Sequence, residues 1–278
     1  LVKINLDVEN TKLQFSELTD IKYVYYEYLE DIFKEGDKDY VPYTEEHQKL
    51  FSILDDRNME VTITKLNHEG KGITKIVNKI TFIPNILTKE VADIEITKEY
   101  KKFNLGKVTK YISTSDSRVI PACPYYGVCG GCNIMHMSYC AQLDFKKDKV
   151  KNILEKYAGI VTDLEIVPSD KVLNYRNKVT LHISNNKIGY MKEGTNEVIN
   201  IEKCLLLDDK LNEEINNISD KSSDSYVIRT NGSDVISNEK NGYLIMNIND
   251  YKFRIDIKSF FQVNSYICGL LFKELESN

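Results

Sequence analysis

Three cysteines within ten residues, Cys123, Cys129 and Cys132, constrain this chain more than any other stretch of it. Five residues and then two separate them, and glycines at 127, 130 and 131 give the loop the backbone freedom needed to wrap a compact inorganic centre. A fourth thiol, Cys204, stands 72 residues beyond Cys132. The first residues carry charge where a secretory signal needs an apolar core, so this grouping reads as a metal site and not as a disulfide framework. Four thiolates suit either tetrahedral zinc or a four-iron, four-sulfur cluster. Structural zinc sites usually draw ligands in two close pairs, whereas three ligands from one loop and one from a distant element favour the cluster, with zinc as the alternative. Cys140 and Cys268 fall inside expected helices and read as buried free thiols. His136 lies near the loop, but four thiolates complete the set without it.

Composition narrows the classes of function. Hydrophobic content of 42% and charged content of 28% fit a globular protein, and the longest apolar runs are far shorter than a membrane span, so the expectation is a cytoplasmic protein with no membrane partner. The sequence has no G-x-G-x-x-G or Walker loop and no H-E-x-x-H pair. His47, His68, His136 and His182 make no evident triad, and no catalytic residue is assigned. The net charge of -5 averages unlike parts: residues 1–57 hold 14 acidic and 7 basic side chains, or -7, which leaves 28 acidic and 30 basic, or +2, for residues 58–278. A nearly neutral remainder does not by itself signal nucleic-acid binding, although local basic strips can provide it.

Residues 1–57 read as an acidic extension with two short helices and no chemical motif. From Met59 short alternating segments follow at 59–63, 72–77, 80–84, 91–96 and 103–108, which predict a small antiparallel barrel of about five strands ending near 115. Lys98, Lys101, Lys102, Lys107 and Lys110 form a candidate strip for single-stranded nucleic acid, weighed against a merely solvated face. The cysteine loop leads into a helix capped by Ser138 and ended by Gly159, with an apolar stripe from Tyr139 through Leu143, Val150, Ile153 and Leu154 to Tyr157. Lysines 146, 147, 149, 151 and 156 neighbour that stripe. A second strand-rich region is expected from Leu164–Pro168 onward, with a strand over 176–183, a hairpin turn at Asn185-Asn186-Lys187, a helix over 208–218 and strands at 226–229, 242–248 and 251–257. A final helix capped by Asn264 has no obvious partner to pack against.

The motifs Cys123-Pro-x4-Cys129-Gly-Gly-Cys132, His136 with Ser138-Tyr-x2-Gln-Leu, Asn174-Tyr-Arg-Asn-Lys, Cys204 and Ser259-Phe-Phe-Gln-Val-Asn264 together resemble the iron-sulfur RNA uracil-5 methyltransferases, particularly the bacterial 23S ribosomal RNA branch. The match in order and spacing covers residues 58–264. It implies an α+β chain: a small OB-like TRAM β-barrel for RNA binding over 58–117, and a central RNA-recognition domain over 118–258 in which Cys123, Cys129, Cys132 and Cys204 ligate a 4Fe-4S cluster. Residues 259–278 would begin a linker. Gln262 resembles the residue that contacts the donor S-adenosylmethionine, with Phe260 and Phe261 read as core. Lys101, Lys102, Lys107, Lys146, Lys147, Arg176, Asn177 and Lys178 are the candidate RNA contacts, with RNA and not DNA as the partner.

Such enzymes methylate C5 of uracil. That carbon becomes nucleophilic once a thiolate adds to C6; it then takes the methyl group, and a base removes the C5 proton. The family's C-terminal Rossmann-like methyltransferase domain, with its glycine-rich donor loop, nucleophilic cysteine and glutamate base, is absent from these 278 residues, and Cys268 lies at the wrong place in the order to replace the nucleophile. The expectation is therefore the N-terminal portion of such an enzyme, from a truncated, frameshifted or misdelimited reading. It would be inactive alone unless a separately encoded methyltransferase domain completes it. The alternative is a stand-alone RNA-binding module with a structural iron-sulfur or zinc site.

Overall fold

A computed structural model describes residues 59–76, 78–218, 222–239 and 242–277; the expected extension over residues 1–57 lies outside them. Among the described residues, one compact unit takes 59–67 and 71–115, and a second takes 68–70 and 116–277.

The first unit is built from β1 (Met59–Thr62), β2 (Lys65–Leu66), β3 (Gly72–Ile76), β4 (Lys79–Ile83), β5 (Val91–Glu99) and β6 (Phe103–Ser113). They form one sheet in the order β1-β5-β6-β4-β3-β2, curled as a half-barrel. Alternation sets the faces: Thr81 and Ile83 of β4 point inward, whereas Ile80 and Phe82 lie on the outer face. Val61, Ile63, Ile76, Ile83, Ile86, Ala92 and Ile94 form the core, and a buried aliphatic side chain of this size contributes about 1.5–3 kcal/mol. Glu90 is also buried, and its carboxylate accepts the backbone N–H groups of Leu87 and Ser115, which fixes the loop before β5 to the end of β6. Two expectations need correcting. The sheet has six strands instead of five, because two-residue β2 is too short to show a period, and β4 pairs with β6 in parallel, so the sheet is not wholly antiparallel. Alternation identifies a strand's faces but not the direction of its neighbour.

The second unit contains α1 (Tyr139–Ala158), β7 (Lys178–Ser184), β8 (Lys187–Met191), β9 (Val198–Asn200), α2 (Asp209–Asn217), β10 (Ser225–Thr230), β11 (Val235–Ser237), β12 (Tyr243–Ile248), β13 (Tyr251–Asp256) and α3 (Ser265–Ser277). Strands β11-β10-β7-β8-β9 form one sheet, and β12-β13 a hairpin. Asn185 and Asn186 both take left-handed φ, which makes the tight turn between β7 and β8 that their sequence predicts. Val179, Leu181 and Ile183 of β7 pack with Leu207, Leu211, Ile215 and Ile228, so α2 covers this sheet. Asp208 caps α2 by accepting from Lys210 N–H, and Asn264 caps α3 through Tyr266 and Ile267.

Several elements differ from expectation. Residues 164–168 form no strand; Val167 is exposed and Pro168 has no N–H to offer a ladder. The strand β11 escaped notice because three residues give no readable alternation. Ser138 and Gly159 do cap α1, but the helix buries none of its side chains, and Val150, Ile153 and Tyr157 of the expected stripe are exposed. The final helix is not unpacked: Phe272 meets Tyr251 and Phe253 of β13, and Asn249 donates to the Gly269 carbonyl. Cys268 is buried as expected, whereas Cys140 is exposed. No described helix is long and apolar enough to cross a membrane.

Gly189 in the middle of β8 lets this sheet close. A Cβ there would stand 2.1 Å from the Ile199 carbonyl oxygen, a backbone atom that cannot swing aside. Gly189→Ala is expected to destabilise the protein by about 1–3 kcal/mol or more through overpacking, read as a fall of several degrees in the thermal unfolding midpoint; an unchanged midpoint would show that the β8–β9 pairing is looser than its spacing implies.

Candidate metal centre

The cysteine loop is shaped by its own turns before anything binds it. Tyr126 N–H donates to the Cys123 carbonyl, and Val128 and Cys129 N–H donate to the Tyr125 carbonyl. The loop is then stitched to the end of β8: Gly130 N–H donates to Met191 O at 3.0 Å, and Glu193 N–H donates to Val128 O. A Cβ on residue 130 would meet that same Met191 oxygen at 3.1 Å, so glycine allows the close approach. A second stitch reaches the distant thiol, because the Glu202 N–H donates to the Tyr125 hydroxyl at 3.3 Å.

Cys204 is held by a residue that the sequence does not single out. The buried Asn212 of α2 accepts the Cys204 N–H at 2.9 Å through Oδ1, and its Nδ2 donates back to the Cys204 carbonyl at 3.1 Å. Asparagine eight residues after a cysteine is an ordinary pattern. Only the turn between Cys204 and the start of α2 makes it a two-point clamp.

As a result, Cys123, Cys129, Cys132 and Cys204, each half-buried, line one cavity together with Tyr125, Tyr126, Arg176 and Tyr190. Burial pushes the Cys132 thiol up to about 11, and the neighbouring thiols Cys204, Cys129 and Cys123 push the same way. Cys129 is raised for the same two reasons. Burial also raises the Tyr190 hydroxyl, which is hydrogen-bonded to the Cys204 sulfur. Arg176 is the cation in the cavity wall and opposes the rise at Cys132. The chemistry is that of a soft, polarisable donor set, in which burial favours the protonated form of Cys129 and Cys132. Among the described residues no three His, Cys, Asp or Glu side chains are grouped so as to hold one metal ion. His136 is buried, with Nδ1 hydrogen-bonded to the Tyr126 hydroxyl, and it does not line the cavity.

Of the other sequence-derived candidates, Arg176 alone joins the cavity wall. Arg176 donates from Nε to the Lys178 carbonyl, Asn177 Nδ2 donates to Gln262 O and Ser265 Oγ, and Lys178 Nζ donates to Ile257 O. Gln262 is exposed. Phe261 packs on Phe253, but Phe260 is 86% exposed, which corrects its reading as core. In the first unit Lys101 and Lys102 are exposed, and Lys107 pairs with Glu95 at 2.6 Å. On α1, Lys146 is exposed and Lys147 pairs with Asp163 at 3.2 Å.

Residues 57–109 match the TRAM domain family. The chain is 35% identical over 167 residues to an uncharacterized RNA methyltransferase of Aquifex aeolicus, a match covering 59% of this chain and 39% of that protein. An uncharacterized RNA methyltransferase of Clostridium acetobutylicum is 33% identical over 178 residues, covering 60% of this chain and 38% of the other. The chain thus spans about two fifths of the length of these curated relatives. The crystal structure of a Pyrococcus abyssi tRNA (uracil-54, C5)-methyltransferase in complex with S-adenosyl-L-homocysteine superposes with a TM-score of 0.59 at 22% identity, over 79% of this chain and 65% of that one, a likeness of fold. The chain carries a TRAM domain and is homologous, over more than half its length, to RNA methyltransferases.

Proposed function

We propose that this chain is the RNA-binding, cluster-carrying portion of an S-adenosylmethionine-dependent RNA uracil-C5 methyltransferase, with Cys123, Cys129, Cys132 and Cys204 holding a 4Fe-4S cluster. The observation that carries the reading is the convergence on one cavity of three local thiols and one remote thiol. Structural zinc sites usually draw ligands in two close pairs, whereas here three come from one loop and one from a distant element. A cubane gives each thiolate its own iron and so accepts a wider ring of sulfurs.

When bound, the cluster supplies a covalent tie between the loop and the Cys204 segment, with all four irons occupied by thiolate. The chain's own residues prepare for it. Arg176 offsets part of the negative charge of the thiolate set, and the Tyr190 hydroxyl supports the Cys204 sulfur. RNA binding rests on the TRAM match and on the description of the relatives. Exposed Gln262 is the contact offered to the methyl donor, 23S ribosomal RNA is the substrate class, and a methyltransferase domain outside these 278 residues would supply the donor loop, nucleophile and base.

Anaerobically purified protein is expected to be brown, with about four irons and four sulfides per chain; one zinc and no sulfide would refute the cluster and favour the stand-alone module with a zinc site. Asn212→Leu removes both hydrogen bonds to Cys204 and is expected to cost about 1–3 kcal/mol in denaturant unfolding, because a buried backbone group loses its partner, and to lower the iron-to-protein ratio. Wild-type stability and iron content in that variant would remove Asn212 from the site. The 278-residue chain alone is expected to transfer no labelled methyl group from S-adenosylmethionine to ribosomal RNA, and turnover there would show that these residues already hold the chemistry.

A further inference from the structure

The outer face of the first unit carries an aromatic surface that the lysine strip alone does not reveal. Tyr100 N–H donates to the Phe103 carbonyl, closing the turn between β5 and β6. That turn stacks the two rings, with centroids 4.6 Å apart and planes 24° apart. Phe103 meets Phe82 edge-on at 5.7 Å, and Ile80, 39% exposed, is the ladder partner of Phe103. Tyr100 itself is 38% exposed, although an aromatic ring next to an apolar sheet face could have been covered at little cost.

The charges around it are arranged with one sign left over. Glu99 is paired with Lys79 and Glu95 with Lys107, which neutralises the two carboxylates of this edge. Lys101 and Lys102 are exposed at the turn and have no acidic partner among the described residues. Lys98 places its Nζ 5.0 Å from the Tyr100 ring centroid. An exposed cation–π contact of this kind is weaker than a base stacked on the ring, so a base can displace Lys98 and free its ammonium for the adjoining phosphate.

We propose that Tyr100, supported by Phe103 and Phe82, is a stacking platform for one unpaired base of single-stranded RNA, with Lys98, Lys101 and Lys102 holding the flanking phosphates. This rests on the reading of the first unit as RNA-binding and adds to it a strand class and a contact. A base reaches the ring face only where it is unstacked, so single strands bind there and duplexes do not.

The chain contains no tryptophan, so Tyr100→Trp makes the platform its own reporter. The probes are a fluorescein-labelled single-stranded oligouridylate and a blunt RNA duplex, titrated with the full chain and followed by anisotropy. Tyr100→Ala is expected to weaken oligouridylate binding about five- to hundred-fold and to leave any duplex binding unchanged. Tyr100→Trp is expected to keep the affinity and to lose its tryptophan fluorescence as oligouridylate saturates, and K101A/K102A to weaken binding of both probes. Wild-type affinity in Tyr100→Ala, or an unquenched tryptophan while anisotropy reports binding, overturns the platform and leaves RNA binding intact. Failure of the wild type to bind either probe overturns both readings.

Discussion

The two-point clamp of Asn212 on Cys204 is the contact on which the candidate centre depends, because it sets the one thiol that the loop cannot set for itself. Three cysteines within ten residues are brought near each other by chain connectivity. The fourth arrives across a long stretch of chain, and its backbone N–H and C=O would otherwise search for partners as the site forms. By bonding both, α2 holds Cys204 against the sheet core that Leu207, Leu211 and Ile215 anchor. The Glu202–Tyr125 and Gly130–Met191 bonds then bring the loop to the same place. These bonds order the backbone on both sides of the cavity within the chain itself.

The same frame sets the electrostatics of two of the thiols. Burial and mutual repulsion raise Cys129 and Cys132, and the guanidinium of Arg176 partly opposes the rise at Cys132. For these two thiols burial favours the protonated form, and a bound metal would favour the thiolate. Arg176 therefore has a role that its place in the motif did not suggest. The resemblance of its segment to a family motif implies an RNA contact, whereas its side chain lies in the cavity wall.

What could be read from the residues alone follows a physical rule. Features written in adjacent positions were legible: the cap by Ser138, the double-asparagine turn at 185–186, the cap by Asn264, the alternation of β7 and β12, and the four thiols as a set. Features that depend on which surfaces meet were not. The stripe on α1 has helical spacing but buries nothing, since spacing states that a face is apolar and not that anything covers it. Parallel pairing of β4 with β6, the three-residue β11 and the Asn212 clamp are all decided by tertiary neighbours. The lysines around residue 100 were visible as charge, whereas the stacking of Tyr100 on Phe103 comes from a turn that no residue type announces.

The segment after β13 illustrates how the motifs connect. Asn177, Lys178 and buried Arg229 project from β7 and β10, or from the residue just before β7, and donate to main-chain carbonyls of residues 256, 257, 259 and 262. Burial lowers both Lys178 and Arg229, and the charge of Arg229 lowers Lys178 further. Two cations placed together against carbonyl dipoles are a costly arrangement unless the backbone they hold must keep one path. That path leaves Phe260 and Gln262 turned to solvent, while Phe261 packs on Phe253. The segment Asn174-Tyr-Arg-Asn-Lys and the segment Ser259-Phe-Phe-Gln-Val-Asn are thus joined through Asn177, whose side chain donates to the Gln262 carbonyl and whose N–H donates to the Val263 carbonyl. Arg176, at the centre of the first segment, joins the wall of the thiol cavity, so one short segment touches both places.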